Sequence, residues 1–362
     1  MRVSLPVLAV LIVGCGGRDT GSGSDEIVID SANARLSGLE TTRSLAELPD
    51  GRVAIAQPTV PAVLVTDLVS GESDTIGKAG EGPGEYRSPG VVSVRHGNVE
   101  LFDALQRRLT TWTPSGELVG SSTIATLPGF TVAFDTLGHL FAEQPSSAGF
   151  IVIGQEVDSL GPKDSTWIYR LNPGETVRDT VGRLYEIGWE IIRLGRSGIA
   201  RLRRLYQSPD VWGALPDGSL WIARGRENRV DRRSPDGRWT IGAPRPFTPT
   251  PTTDADRQKL PVFPGAPAPS DTAYREMPKE KGPFSEAVAA PDGEVWTHLQ
   301  QAAGATREAY AVFPVAGPST RTVLLPKGRT LLALSERYLY TLHEDADGFR
   351  VLERYDRPRE TR

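Results

Sequence analysis

Four groups of residues in this chain could do chemistry, and the first is a single thiol. Cys15 is the only cysteine among 362 residues. It follows Met1 to Gly14, where one positive residue, Arg2, precedes an apolar stretch. That layout is a secretory signal, too short to cross a bilayer as a helix. The second group is a crowd of arginines: Arg193, Arg196, Arg201, Arg203 and Arg204. Such a cluster suits anionic sugars, lipid headgroups or an acidic partner, and its plainer reading is a solvated insertion loop. The third is four histidines, His96, His139, His298 and His343. No two stand at His-x-x-x-His spacing, so each is expected to be solvated or packed in the core rather than metal-binding or catalytic. The fourth is serine in a Gly-x-Ser-x-Gly frame. Gly195-Arg196-Ser197-Gly198 breaks that frame, so no catalytic residue is assigned. Gly77 to Gly84 is rich in glycine but lacks Gly-Lys-Ser/Thr before a helix, which argues against a phosphate loop.

The elements that must position these residues are strands. Glycine and proline are abundant, at 38 and 29 residues, and helical runs are scarce. Short β-branched and aromatic segments alternate with turn signals, which points to an all-β sandwich, barrel or propeller. The formal net charge of −4 gives no basic face for nucleic acid. With one cysteine the chain can form no internal disulfide, so stability must come from a sizeable packed core.

One unit recurs: an apolar strand, a turn ending in Gly, then a second strand. Pro49-Asp50-Gly51, Arg95-His96-Gly97, Thr136-Leu137-Gly138, Pro216-Asp217-Gly218 and Pro291-Asp292-Gly293 are five such turns, and Ser335-Glu336-Arg337 is a degenerate sixth. Pro presets φ, Asp bonds nearby backbone and Gly takes positive φ. Three residues past each turn the column reads Ala54, Glu100, Phe141, Trp221, Trp296 and Tyr340. Large rings at that position suit the wedge between neighbouring sheets. Third and fourth strands follow, as in Arg229 to Arg232 and Arg238 to Ile241. A four-stranded meander of about 40 residues is a propeller blade. The expected fold is therefore an all-β, six-bladed β-propeller of four-stranded antiparallel blades over residues 27–356, with a C-terminal tail at 357–362.

Two long intervals between turns are read as insertions, at residues 186–209 and 242–283. Thr253 or Asp271 could cap a short helix in the second. Glu26 to Asp30 has no blade of its own. It is expected to join the last blade as outer strand and close the ring, which protects strand edges. Counting back from the turns puts Ser44, Gly90, Thr131, Val211, Glu286 and Thr330 in one ring of candidate channel positions. Glu286 is the lone carboxylate there, and a hard cation needs several converging oxygens.

Two stretches carry family resemblances. Ile12-Val13-Gly14-Cys15 resembles the lipobox of bacterial lipoproteins. The resemblance implies cleavage before Cys15 and lipidation there, a multiply acylated end that holds stably to a membrane, and a flexible tether over residues 15–26. Gly16, with no Asp after Cys15, implies outer-membrane delivery if the host is Gram-negative. Gly77-Lys78-Ala79-Gly80-Glu81-Gly82-Pro83-Gly84-Glu85-Tyr86-Arg87-Ser88-Pro89 resembles the interblade signature of six-bladed, NHL-type β-propeller lipoproteins of bacteria. The resemblance implies the fold, and the expected function is that of a membrane-tethered, extracytoplasmic, non-catalytic propeller that binds or scaffolds a protein, peptide or glycan, as a monomer and without a cofactor. The alternative is a gluconolactonase-like, metal-dependent hydrolase or lyase, whose ligands would come from several innermost strands. The expected ligand surface comprises the five arginines and Glu286, with the long loops of one rim.

Overall fold

The computed structural model describes residues 25–124, 132–143, 165–171, 178–185, 189–194, 198–203, 206–257, 278–319 and 321–358. They form six antiparallel blades of four strands arranged as a β-propeller. Blade 1 comprises Ser44–Glu47, Val53–Gln57, Ala62–Thr66 and Ser73–Ile76. Blade 2 comprises Pro89–Arg95, Asn98–Asp103, Arg108–Trp112 and Leu118–Thr123. Blade 3 comprises Val132–Phe134, Leu140–Glu143, Thr166–Leu171 and Arg178–Leu184. Blade 4 comprises Val211–Ala214, Leu220–Arg224, Arg229–Arg233 and Trp239–Thr240. Blade 5 comprises Phe284–Ala289, Val295–Leu299, Arg307–Phe313 and Arg321–Pro326. Blade 6 takes Thr330–Leu334, Tyr338–Glu344 and Arg350–Asp356 from the end of the chain, and its outer strand Ala34–Leu39 from near the beginning. Each innermost strand touches the innermost strand of the next blade, and blade 6 touches blade 1, so the ring is closed.

The core is six apolar layers, one between each pair of neighbouring blades. Ala54, Phe141, Trp221, Trp296 and Tyr340 of the predicted column are all buried within them. Glu100, the polar member, is 2% exposed and ion-pairs with Arg95 on the strand beside it. Alternation along a half-buried strand thus aims one residue per blade into the wedge between sheets.

Closure by an N-terminal strand holds, but the strand is not the one expected. Asp25–Val28 pairs in parallel with Arg321–Pro326 and becomes a fifth strand on blade 5. Ile27 and Ile29 pack against the layer between blades 5 and 6. The next segment, Ala34–Leu39, pairs with Arg350–Asp356 and closes the ring. The strand also begins at Asp25, inside the expected tether. At the other end Arg357, expected in the tail, is buried and bonds Asp292, Glu294 and the Ser335 carbonyl.

The Gly-rich segment is a clamp between blades 1 and 2. Lys78–Ala79 and Glu85–Tyr86 form a small parallel pair. Gly77 has φ +66°, and a Cβ there would lie 2.7 Å from the Tyr86 ring and 2.9 Å from the Gly84 carbonyl, so only glycine fits. Buried Asp103 accepts the N–H groups of Ser88, Leu105 and Gln106 at 2.9, 2.9 and 3.0 Å. The Tyr86 hydroxyl accepts the Val63 N–H at 3.1 Å and donates to the Ile76 carbonyl at 3.0 Å. Tyr86→Phe would leave the buried Val63 N–H without its acceptor. It should cost about 1–3 kcal/mol in urea unfolding, and an unchanged midpoint would contradict this role.

Candidate functional site

The two mouths of the propeller are built differently. On the turn rim, each innermost strand passes through a Pro-Asp-Gly-type turn into the second strand. The Asp carboxylates close these turns on themselves: Asp50 accepts the Arg52 N–H at 3.1 Å, and Asp217 the Ser219 N–H at 2.9 Å. A cavity of about 750 Å³ opens here between blades 6 and 1, lined by Glu47, Asp50, Asp67, Arg337, Tyr338 and Arg354 among others. The Arg354 guanidinium lies 4.3 Å from the centre of the Tyr338 ring. Glu47 accepts the Tyr340 hydroxyl at 2.5 Å. Burial, and then that carboxylate, push the Tyr340 hydroxyl's pKa upward.

On the opposite, loop rim the two insertions converge. Tyr206 to Pro209 end the first, and Pro278 to Pro283 end the second. With Gly225 and Arg226 of blade 4 they line a cleft of about 550 Å³. Its walls are pinned from beneath. Buried Asp210 accepts the N–H groups of Tyr185 and Gly225 and the Arg224 guanidinium, at 2.9, 3.1 and 2.7 Å. Arg224 also bonds Asp231 at 2.9 Å. Burial works against the Arg224 charge, and its two carboxylate partners more than offset it. Gly225 is required by close approach, since a Cβ would stand 1.7 Å from the Ser208 carbonyl oxygen. In the second insertion the short helix Asp254–Arg257 carries Asp256, which meets Lys281 at 2.6 Å with both side chains buried. The Thr253 hydroxyl donates to Asp256 at 2.8 Å, and Asp256 reaches back to the Thr253 N–H at 2.9 Å. Thr253 is thus the cap of this helix; Asp271 lies outside the described residues.

The expected ligand residues divide among these regions. Arg193, Arg201 and Arg203 lie on a hairpin within the first insertion, Trp189–Leu194 paired with Gly198–Arg203. In its register Arg193 stands opposite Ile199, Arg201 opposite Ile191 and Arg203 opposite Trp189. Arg196, Arg204 and Cys15 lie outside the described residues, as does Thr131. Glu286 sits exposed on the innermost strand of blade 5. Among the described residues, no three His, Cys, Asp or Glu side chains converge as a metal site.

A further grouping stands beside Glu286 that the sequence reading did not assemble. On blade 5, Glu286 pairs with His298, and His298 with Tyr310. The His298 and Tyr310 rings stack at 4.7 Å with 13° between their planes. His298 Nε2 is 3.0 Å from Glu308 Oε2, and His298 Nδ1 is 3.5 Å from Ser285 Oγ. Glu308 is held in turn by Lys327 at 2.9 Å and the Gly328 N–H at 3.0 Å. His139 Nδ1 lies 2.6 Å from buried Asp135. His343, on the second strand of blade 6, is held down by burial and by the Arg329 charge. A bulge between Phe284 and Glu286 takes Ser285 out of the pairing register and turns it toward His298. No spacing rule finds such a set, because its members come from three strands.

No protein-family profile matches this chain, and no curated protein is detectably similar to it in sequence. Among solved structures, a Bacteroides fragilis protein assigned as exported is similar, at 10% identity and TM-score 0.48, over 92% of this chain and 100% of the other. Virginiamycin B lyase from Staphylococcus aureus is similar at 10% identity and TM-score 0.43, over 88% of this chain and 97% of the other. A regucalcin from Agrobacterium tumefaciens is similar at 11% identity and TM-score 0.43, over 91% and 97%. At this identity and score none of them lends its activity to this chain.

Glu308 makes the site pH-sensitive. Burial alone would raise its pKa, but hydrogen bonds from His298 and Lys327 more than reverse this and hold it at about 2, against 4.5 for a free carboxyl. The folded value lies below the unfolded one. Its stabilisation is therefore present above about pH 4.5 and is lost as pH falls toward 2. That contribution is at most roughly 3 kcal/mol. Glu308→Gln should flatten the fall of stability across this window, measured by denaturant unfolding at each pH; an unaltered fall would exclude the ion pairing.

Proposed function

We propose that this chain is a lipid-anchored, extracytoplasmic binding propeller of the NHL-type lipoprotein kind, holding a protein or peptide partner in its loop-rim cleft. The observation that carries this reading is the convergence of both insertions on one cleft. A ring of blades needs neither insertion to close. Yet both are fastened to it by polar contacts, the first where Ser208 Oγ accepts the Phe284 N–H at 3.0 Å and the second where buried Lys281 donates to the Gln301 carbonyl at 2.8 Å. Binding residues tend to sit on loops held by a rigid scaffold. The cleft offers the Tyr206 ring with the Lys281 ammonium 4.8 Å above it, flanked by Arg226, Glu280 and three prolines. Rings, charges of both signs and a grooved backbone suit an extended peptide segment.

The anchor reading rests on Cys15 and the apolar run before it, and the NHL assignment on Gly77 to Pro89. The metal-hydrolase alternative would need several oxygen ligands around the channel, and Glu286 is the one carboxylate of its ring.

Two experiments test this. A partner captured from the cell envelope by the full-length chain should be lost with Arg226→Glu plus Glu280→Lys. It should be retained with Glu72→Lys plus Asp74→Lys at the exposed outer edge of blade 1. Equal capture by both variants would remove the cleft from the interaction. Cys15→Ser should move the protein from the membrane fraction to the soluble one; full membrane retention would refute the anchor.

A further inference from the structure

Beyond partner binding, and independently of the cleft, we infer that Ser285, His298 and Glu308 form an acyl-transfer centre on blade 5 that hydrolyses neutral or cationic carboxylic esters. The diagnostic arrangement for an activated nucleophile is a hydroxyl near a base that is itself oriented by a third group. All three parts are present. Glu308 accepts from His298 Nε2 at 3.0 Å, which fixes the tautomer carrying its proton there. The Nδ1 lone pair is then left facing Ser285 Oγ at 3.5 Å, a separation typical of a resting site that tightens on substrate.

The supports of this set are specific. Glu308 is fixed by Lys327 and the Gly328 N–H, so the carboxylate stays charged and in place. The Tyr310 ring stacks on the imidazole and restricts its rotation. The Tyr310 hydroxyl is itself tied down by the Leu331 N–H at 2.9 Å. The His298 and Glu308 side chains are only 19% and 12% exposed, so their attraction is little screened. Ser285 is half-buried on the innermost strand, next to exposed Glu286. The Glu286 carboxylate beside it disfavours anionic substrates, which sets the expected class.

The chemistry balances without a metal or an oxidant. Ser285 Oγ attacks the ester carbon while His298 Nδ1 takes its proton. The carbon–alkoxy bond breaks, and that proton passes to the departing alcohol, leaving an acyl-Ser285. Water then attacks the acyl carbon and gives its proton to His298. The proton returns to Ser285 Oγ as the carboxylic acid leaves.

The test uses the full chain with a fluorophosphonate probe and p-nitrophenyl acetate. One probe molecule should attach per chain, and peptide mapping should place it on Ser285. Ser285→Ala should abolish the adduct and drop ester turnover to background, with its thermal midpoint measured to show that the fold survives. His298→Gln should lower turnover about 100-fold or more. Glu308 is a positioning residue, so Glu308→Gln should lower kcat with KM little changed, and Glu308→Asp should recover part of the loss. No adduct on the folded protein, an adduct elsewhere, or full turnover in Ser285→Ala would overturn the inference. An unchanged kcat in Glu308→Gln would overturn the role of Glu308.

Discussion

Everything in this structure depends on each blade burying both of its faces. A four-stranded sheet with one wet face could stand alone, but six sheets in a ring have no wet face to spare. Each wedge must be filled by residues from two blades. Trp221 therefore packs with Phe284 and Val295 of the next blade, and Tyr340 with Leu45 and Val53 across the closure. The closure is the most demanding wedge, because its two blades come from opposite ends of the chain. Leu39 and Leu352, on paired strands from those ends, both sit in that layer. Hydrogen bonding of the outer strand and filling of the wedge are thus one event. Such non-local pairing carries a chain-entropy cost that only the completed layer offsets.

The repeat was legible because the turn chemistry is strict. Pro-Asp-Gly marks where a strand reverses, and a period of two then locates the buried column. That logic reached every blade and both insertions. It failed at the N-terminus, where two strand-like segments compete. Ile27-Val28-Ile29 has the stronger β-branched pattern, and the reading gave it the closing position. Its isoleucines instead cover the layer between blades 5 and 6 from a parallel strand. Ala34–Leu39 is interrupted by Gly38, with φ +79°, and by a register shift between Leu36 and Leu39. Hydrophobic pattern ranks strands, but it does not say which edge each will meet.

The Ser285 grouping was illegible for a different reason. Ser285, His298 and Glu308 are separated by whole strands, and their meeting depends on register. A single bulge decides it. Without the shift between Phe284 and Glu286, strand alternation would place Ser285 on the face opposite Glu286 and His298. Counting positions back from the turn correctly singled out Glu286 on the innermost strand. The same counting could not see the bulge one residue earlier, nor that His298 has Glu308 for a partner two residues along the next strand.

The asymmetry of the two mouths follows from these same constraints. Turn-rim carboxylates such as Asp50, Asp217 and Asp292 are used in bonding their own turns, so that rim is specified by the repeat itself. Changing one of them perturbs a turn before it changes a surface. Loop-rim connections carry no such duty. They run between blades or between the second and third strands, and they tolerate insertion because loop closure costs grow slowly with length. Buried ion pairs such as Asp256 with Lys281 add little net stability, since desolvation offsets most of the attraction. Their use here is positional: an unpaired Lys281 or Asp256 would be costly to bury, so the insertion closes on itself in one way, and Lys281 ties it to the ring through the Gln301 carbonyl at 2.8 Å. The cleft built by the insertions and the Ser285–His298–Glu308 grouping therefore both lie toward the loop rim, the first on connections free of the repeat and the second at the ends of blade strands.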